Sequence, residues 1–180
     1  MAILKIARMG HPILTRRAEP VADPGSRETR RLIADMVETM LDAGGAGLAA
    51  PQVHVPLRIF VFRVTPERAG SGPEDGPMPI TVVINPEIEF LSEECQLCWE
   101  GCLSIPGLRG AVPRATRIRY AGVDCGGRIM DGLASGFHAN VVQHEYDHLD
   151  GILYPMRMRD LSLFGFTEEL ARAETPEMAR

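Results

Sequence analysis

The stretch QHEYDHLDG, residues 143–151, contains the pattern HEYDH, in which His144 and His148 stand four residues apart and Glu145 follows the first. On a helix, residues four apart lie one turn above each other, so both imidazoles can face one metal ion. The glutamate is one position further round and can reach a water molecule without being a ligand. The alternative is a helix with two partly buried histidines and a surface acid.

The residues before this pattern predict a helix over residues 133–148. Apolar residues at spacings of three and four continue the face on which the two histidines stand: Leu133, Phe137 and Val141. The histidines are therefore expected to point into the core, where a polar side chain needs a partner.

A catalytic metal site usually has three protein ligands, so the third must come from elsewhere in the chain. The metalloprotease pattern HExxHxxGxxH is incomplete here, because Tyr154 stands where its third histidine would be. Glu168 and Glu169 are a downstream alternative. They lie on a short, charged predicted helix and are better interpreted as solvated surface acids.

The segment CQLCWEGCLS, residues 95–104, offers cysteine ligands. Cys95 and Cys98 with the two histidines would make a closed, structural zinc site, which leaves Glu145 unexplained. Cys102 with the two histidines would instead leave a fourth position open for water. The glycine before Cys102 favours a tight turn that presents its thiolate. The cysteine spacing does not complete a ferredoxin-type cluster.

Composition restricts the class of protein. The chain has 180 residues, of which 45% are hydrophobic and 24% charged, and this predicts one globular domain spanning residues 1–180. The net charge of -5 argues against nucleic acid as the main ligand. No segment resembles a secretory signal or a membrane span, so we expect a cytoplasmic protein that does not bind membranes.

The order of the predicted elements indicates an α+β fold, with strands around the buried helix that carries HEYDH. An amphipathic helix is predicted over 26–43, opening at Asp23–Pro24 and ending at Gly44–Gly45. A shorter helix is predicted over 167–173. Segments rich in β-branched and aromatic residues predict strands over 57–64, 80–90, 115–123 and 126–131, and a polar loop over 65–79 joins the first two.

Three stretches together resemble the signature motifs of the peptide deformylase family: GAGLAAPQ (45–52), EGCLS (100–104) and QHEYDH (143–148). They stand in the family's order with similar gaps. The segments HPILTRRAEPV, IPGLRGAVPRA and HLDGILYPMRM are also similar, so the resemblance covers most of the chain up to about residue 165. The implied fold has small mixed or antiparallel β-sheets around a central buried helix.

The resemblance implies a metal site and a catalytic group. Cys102, His144 and His148 would hold one divalent metal ion, which would be ferrous iron in the cell, with zinc, nickel or cobalt as substitutes. Glu145 would act as the acid and base. The side-chain amide of Gln52 and the backbone N–H of Leu103 would hold the carbonyl oxygen of the substrate.

The resemblance also implies a set of substrate-binding residues. Phe137 and Val141 match positions that line a methionine pocket, and Arg109 matches a position near its entrance. Ala46, Gly107 and Val141 differ from the residues common in the family, which leaves substrate preference beyond methionine open. The full substrate-binding set is Gly45, Ala46, Gly47, Gly101, Arg109, Phe137 and Val141.

The implied reaction is the hydrolytic removal of the formyl group from the N-terminal formyl-methionine of newly made proteins, which releases formate. The implied partners are nascent polypeptides at the ribosome, and the enzyme would be a monomer or a weak dimer. Two other functions remain open at this point. One is a different HExxH metallopeptidase that cuts internal bonds, and the other is a non-catalytic, zinc-stabilised binding module.

Overall fold

The computed structural model describes residues 2–173, so Met1 and residues 174–180 of the predicted domain lie outside the described residues. The helices are α1 (Arg27–Asp42), α2 (Gly136–Leu149) and α3 (Thr167–Ala173). The strands are β1 (Gly47–Ala49), β2 (Ile59–Val64), β3 (Met78–Phe90), β4 (Cys95–Cys102), β5 (Ile105–Ala115), β6 (Arg117–Val123), β7 (Ile129–Ser135) and β8 (Phe164–Phe166).

The strands form two antiparallel sheets. The larger has the order β1-β2-β3-β6-β7, and the smaller has the order β4-β5-β8. Helix α2 packs against strands of both sheets, and most of its residues are buried. The predicted α+β class with a central buried helix is confirmed.

Helix α1 confirms the helix that was predicted over 26–43. Its start differs in detail, because Ser26, and not Asp23–Pro24, caps it: the Ser26 hydroxyl accepts the Thr29 N–H at 3.0 Å. Its end follows the prediction, since Gly44 adopts a left-handed φ of 66° and its N–H donates to the Leu41 carbonyl.

The four predicted strands are present as β2, β3, β6 and β7, with shifted ends. Strands β1, β4, β5 and β8 were not predicted. The β4–β5 hairpin contains glycine, proline and charged residues, which give it a weak strand signal in the sequence. The antiparallel pairing of its two strands, from Cys95↔Ala115 to Cys102↔Ile105, stabilises it instead. The predicted polar loop lies between β2 and β3, although β3 already begins at Met78.

The start of α2 was predicted wrongly. Leu133 belongs to β7, where it pairs with Arg119 and is 42% exposed, and the helix begins three residues later. Gly136 makes the turn with a φ of 54°. Ser135 gives no side-chain cap, and the Asp75 carboxylate from the β2–β3 loop accepts the His138 N–H at 3.2 Å instead.

The short helix predicted over 167–173 is confirmed as α3. Glu168 and Glu169 are both exposed there, and Glu169 pairs with Arg172 at 2.6 Å. They are surface acids, as the preferred interpretation of the sequence held. No helix within residues 2–173 is both long enough and apolar enough to span a membrane.

Candidate active site and metal centre

Cys102, His144 and His148 lie together although they come from two separate elements. Their ligand atoms are all within 4.8 Å of one another, and Cys102 Sγ is 3.2 Å from His148 Nε2. The register of the β4–β5 hairpin shifts between Gly101 and Cys102, and this bulge ends the strand beside α2. One thiolate with two imidazoles is a donor set that suits iron or zinc and leaves a position open.

The closed zinc site with Cys95 and Cys98 does not form. Among the described residues, the group that could hold a metal ion contains Cys102 as its cysteine. Cys95 is exposed at the far end of the hairpin, opposite Ala115. Burial, followed by the nearby Glu100 carboxylate, raises the pKa of the Cys98 thiol, which disfavours a thiolate ligand at that position.

A buried ionic cluster stands behind His144, and we call its three residues Glu100, Arg114 and Asp147 the inner wall. Glu100 accepts from His144 Nδ1 at 2.7 Å and from Arg114 Nε and Nη2 at 2.6 and 3.0 Å. Arg114 Nη1 donates to Asp147 at 2.6 Å. Because the wall holds Nδ1, the other ring nitrogen of His144 is left for a ligand.

All three residues of the inner wall are 4% exposed, and hydrogen bonds within the wall and to its neighbours pair their charges. Burial opposes ionisation of Glu100, but the hydrogen bonds from His144 and Arg114 outweigh it and lower the pKa of Glu100 to about 2. Asn140 also donates to Glu100 at 2.7 Å, and Arg157 donates to Asp147 at 2.7 Å. The wall therefore carries fixed charge and holds His144 in one orientation.

The two histidines meet different surroundings. Burial opposes protonation of both, yet the Cys102 thiol and the Glu100 carboxylate raise the pKa of His144 well above its usual value. Burial and the nearby His144 and Arg114 lower the pKa of His148 well below its usual value. A thiol and a carboxylate so close to His144 favour a positive charge at this place, and a divalent cation would supply it. The residues present therefore fit a metal ion.

Glu145 is 3% exposed and borders the cavity beside the candidate ligands. Its Oε2 atom is buried without a hydrogen-bond partner among the described residues. Burial raises the pKa of Glu145 to about 7, and a carboxyl with a pKa near neutrality can take up and return a proton. The absence of a side chain at Gly47 makes room for the side chain of Glu145, because a Cβ at position 47 would lie 2.7 Å from Glu145 Cγ.

Gln52 lies in a short 3-10 helix, Ala50–Val53, that follows β1. Its side-chain oxygen accepts the Ala49 N–H at 2.8 Å, which fixes the amide so that Nε2 faces the site. Nε2 lies 3.5 Å from Cys102 Sγ and 3.1 Å from Ser104 Oγ. Leu103 lies in the β4–β5 turn next to Cys102, so its backbone is at the same place.

A cavity of about 440 Å³ opens at this site. Nearly all of the predicted site residues line it, and the exceptions are His148, which is fully buried, and Arg109. Arg109 lies on β5 with its guanidinium 4.6 Å from the centre of the Trp99 ring, and Trp99 does line the cavity. Gly107, Ala46 and Val141, the positions with unusual residues, also line it.

Sequence reasoning missed several residues of the site. Glu100 stands two positions before Cys102 on a strand, and residues two apart share a face, so a signal for its role was present. Asn140 stands one helical turn before His144, so its position was also readable, whereas Arg114 and Arg68 gave no such signal because long-range contacts place them. The side chain of Gln143, beside the first histidine, forms two hydrogen bonds with the backbone of Ala115, so its role is to pack α2 against β5.

Comparison with known proteins identifies the family. The family model described as polypeptide deformylase matches residues 3–163. The chain belongs to the polypeptide deformylase family. Members of this family are metal-dependent hydrolases that remove the N-terminal formyl group from nascent proteins.

Individual deformylases are similar over almost their whole length. The chain is 49% identical to peptide deformylase 1 of Nitrosomonas europaea over 173 residues, which is 96% of this chain and 97% of that protein. It is 53% identical to peptide deformylase 2 of Ralstonia nicotianae over 168 residues, 93% of this chain and 94% of that protein. Among solved structures, the Met-Ala-Ser-bound class I type b peptide deformylase of Acinetobacter baumannii aligns with a TM-score of 0.79 at 36% identity, covering 87% of this chain and 99% of that one.

Proposed function

We propose that residues 1–180 act as one metallohydrolase domain in which Cys102, His144 and His148 hold the metal ion and Glu145 moves the proton. The observation that carries this proposal is the convergence of a thiol and two imidazoles, with their ligand atoms within 4.8 Å of one another, beside a buried and partly unpartnered carboxyl group. A divalent cation held there supplies a Lewis acid that polarises the formyl oxygen and acidifies water.

Different residues of this chain carry out the separate steps of the hydrolysis. Glu145 takes a proton from the attacking water, and the water oxygen forms a bond to the formyl carbon. As negative charge grows on the carbonyl oxygen, Gln52 Nε2 and the backbone N–H of Leu103 donate hydrogen bonds to it. Glu145 then gives its proton to the amine nitrogen as the C–N bond breaks. The products are formate and a free N-terminus.

Substrate binding is assigned to the walls of the cavity. Phe137 and Val141 on α2 offer an apolar surface to the methionine side chain. Gly45, Ala46 and Gly47 form one side of the cavity, and Gly101 forms part of the other. The glycines let a peptide backbone approach closely, which suits an extended peptide that hydrogen-bonds to the strand edge of β1.

We further propose ferrous iron as the ion in the cell, because the mixed thiolate and imidazole set suits it and the family resemblance points to it. Zinc, nickel or cobalt would occupy the same donors. Metal analysis of protein purified without oxygen tests this, and a preparation that holds only zinc and is fully active would contradict it.

We infer the cellular location of the enzyme from its substrate. Nascent formyl-methionine chains emerge at the ribosome, so we place the protein in the cytoplasm as a monomer or weak dimer that meets ribosomes without reading nucleic-acid sequence. Cosedimentation with ribosomes and size-exclusion chromatography test these points. A stable tetramer, or no cosedimentation at low salt, would contradict them.

The decisive experiment measures formate release from formyl-Met-Ala-Ser by anaerobically purified protein. Glu145→Gln should lower kcat by about 10²–10⁴-fold while the metal content stays equal to that of the wild type. Glu87→Gln, at an exposed position on β3, is the matched control and should keep full activity. Cleavage of internal bonds in an unformylated peptide, with no formate release, would instead favour the metallopeptidase alternative.

A further inference from the structure

Arg68 contributes a positive charge to the cavity that the reaction itself does not use. It lies in the β2–β3 loop, it is exposed, and it lines the same cavity as Glu145 and Gln52. Its guanidinium lies 5.1 Å from the centre of the Phe137 ring, which is within the range of a cation–π contact. A guanidinium that rests on an aromatic face keeps its hydrogen-bonding edge free for another group.

The loop that carries Arg68 is tied down at several points. Glu74 accepts two hydrogen bonds from Arg117, both at 2.7 Å, and its carbonyl accepts the Ser135 N–H at 3.0 Å. Asp75 caps α2 through the His138 N–H. The Arg68 N–H itself donates to the Thr65 carbonyl at 3.0 Å. These bonds hold the loop against the start of α2, so Arg68 has a defined position at the cavity.

A second guanidinium also packs on an aromatic ring near the cavity. Arg109 rests on Trp99, which lines the cavity, as Arg68 rests on Phe137. We call these four residues the mouth. No carboxylate among residues 2–173 forms an ion pair with either guanidinium, so both charges remain available to a ligand.

The acids that line the cavity do not neutralise the mouth. Among the described lining residues they are Glu100 and Glu145, and both are buried. Glu100 is already engaged by Arg114 and His144. The chain as a whole has a net charge of -5, so a positive mouth is a local feature and not a consequence of overall charge.

The position of the mouth matches the first residues of a bound peptide. Phe137 precedes His144 by seven residues on α2, which corresponds to about 10 Å along the helix. An extended peptide covers that distance in about three residues. A peptide whose formyl group lies at the metal ligands and whose methionine side chain reaches Phe137 would therefore bring its second to fourth side chains near the mouth.

We propose that Arg68, aided by Arg109, is a specificity-determining residue that favours formylated peptides with an acidic side chain shortly after the methionine. This inference rests on the proposed function. The free edges of the two guanidiniums donate hydrogen bonds to the carboxylate of the peptide. Because the mouth is exposed, each such pair is worth a factor of roughly two to five at low salt. Together they give acidic peptides an advantage of roughly four- to 25-fold in kcat/KM.

The test compares kcat/KM for formyl-Met-Ala-Ser, formyl-Met-Glu-Ser, formyl-Met-Ala-Glu and formyl-Met-Lys-Ser. In the wild type, at least one acidic peptide should exceed the neutral one, and the lysine peptide should fall below it. The advantage should appear in KM more than in kcat. It should shrink between about 0.01 M and about 1 M salt, since the screening length falls from roughly 30 to 3 Å.

Arg68→Gln should reduce the acidic advantage to about two- to fivefold, which is the share left for Arg109. Arg31→Gln removes the same charge from an exposed position on α1 that does not line the cavity, and it should keep the full advantage. Equal rates for acidic and neutral peptides in the wild type would overturn the proposal. So would an advantage that Arg68→Gln leaves unchanged.

The two proposals fail in different ways. If the wild type releases formate from formyl-Met-Ala-Ser but shows no charge preference, the specificity proposal is wrong and the deformylase function stands. If the wild type, with metal bound, releases no formate from any of the four peptides, the proposed function is wrong and the specificity proposal falls with it.

Discussion

The inner wall and the mouth both contain arginine close to one cavity, but they use its charge in opposite ways. In the wall, Arg114 is 4% exposed and two carboxylates neutralise it. In the mouth, Arg68 is exposed and an aromatic ring, not an acid, supports it. A buried charge must be paired within the protein because desolvation is costly, whereas an exposed charge can remain available for a ligand.

This contrast predicts where mutations act. Changes in the wall should alter folding and metal binding by large amounts, because they leave buried groups unpaired. Changes in the mouth should alter substrate choice by small factors, because water and salt screen exposed charges.

The largest effect is expected for Arg114→Met, which leaves Glu100 and Asp147 buried without their shared partner. The free energy of unfolding should fall by about 3–5 kcal/mol. Urea denaturation at a fixed excess of one divalent metal measures it. Arg119→Met is the matched control, because Arg119 and Asp131 form a similar pair on the surface with side chains 51% and 47% exposed. That variant should stay close to the wild type in stability, and equal losses in the two variants would contradict the contrast.

An intermediate effect is expected for Glu100→Gln, which keeps the shape of the side chain but removes the charge behind His144. Metal affinity should weaken by about 10–100-fold, because the carboxylate orients the imidazole and increases its basicity. Competition with a chelator measures the affinity. Glu87→Gln should leave it unchanged, and an unaltered affinity in Glu100→Gln would mean that the wall does not act on the metal site.

The smallest effect is expected for Asp75→Ala, which removes the cap of α2 and one anchor of the loop that carries Arg68. The free energy of unfolding should fall by about 1 kcal/mol. Ser26→Ala removes the cap of α1 and should cost a similar amount. Thermal or urea denaturation measures both. Only Asp75→Ala should also weaken the preference for acidic peptides, and a similar loss of preference in Ser26→Ala would argue against a role for the loop.

The sequence predicted those features whose signals are local. Helix α1 was predicted because its apolar period and its glycine stop lie within one segment. The family could be recognised because each of its three motifs is a short, continuous stretch. The fold class followed from the order of the elements, and the comparisons confirm it.

Features that depend on distant contacts could not be predicted. Leu133 fits a helical period with Phe137, but pairing with β6 keeps it in a strand. The β4–β5 hairpin has poor local strand propensity, and the antiparallel pairing of its two strands stabilises it. Asp75 caps a helix that begins 61 residues later, and no local pattern relates a loop acid to that helix.

The contact between Gly47 and Glu145 restricts how this cavity can change over evolutionary time. Any side chain at position 47 would displace the buried carboxyl group, so the first step away from glycine would remove activity before it altered substrate choice. Ala46 and Gly107 line the same cavity without that conflict. Divergence of substrate preference therefore has its open route through position 46, because the φ of 80° at Gly107 disfavours a side chain there, while position 47 stays fixed as long as the chain remains an active hydrolase.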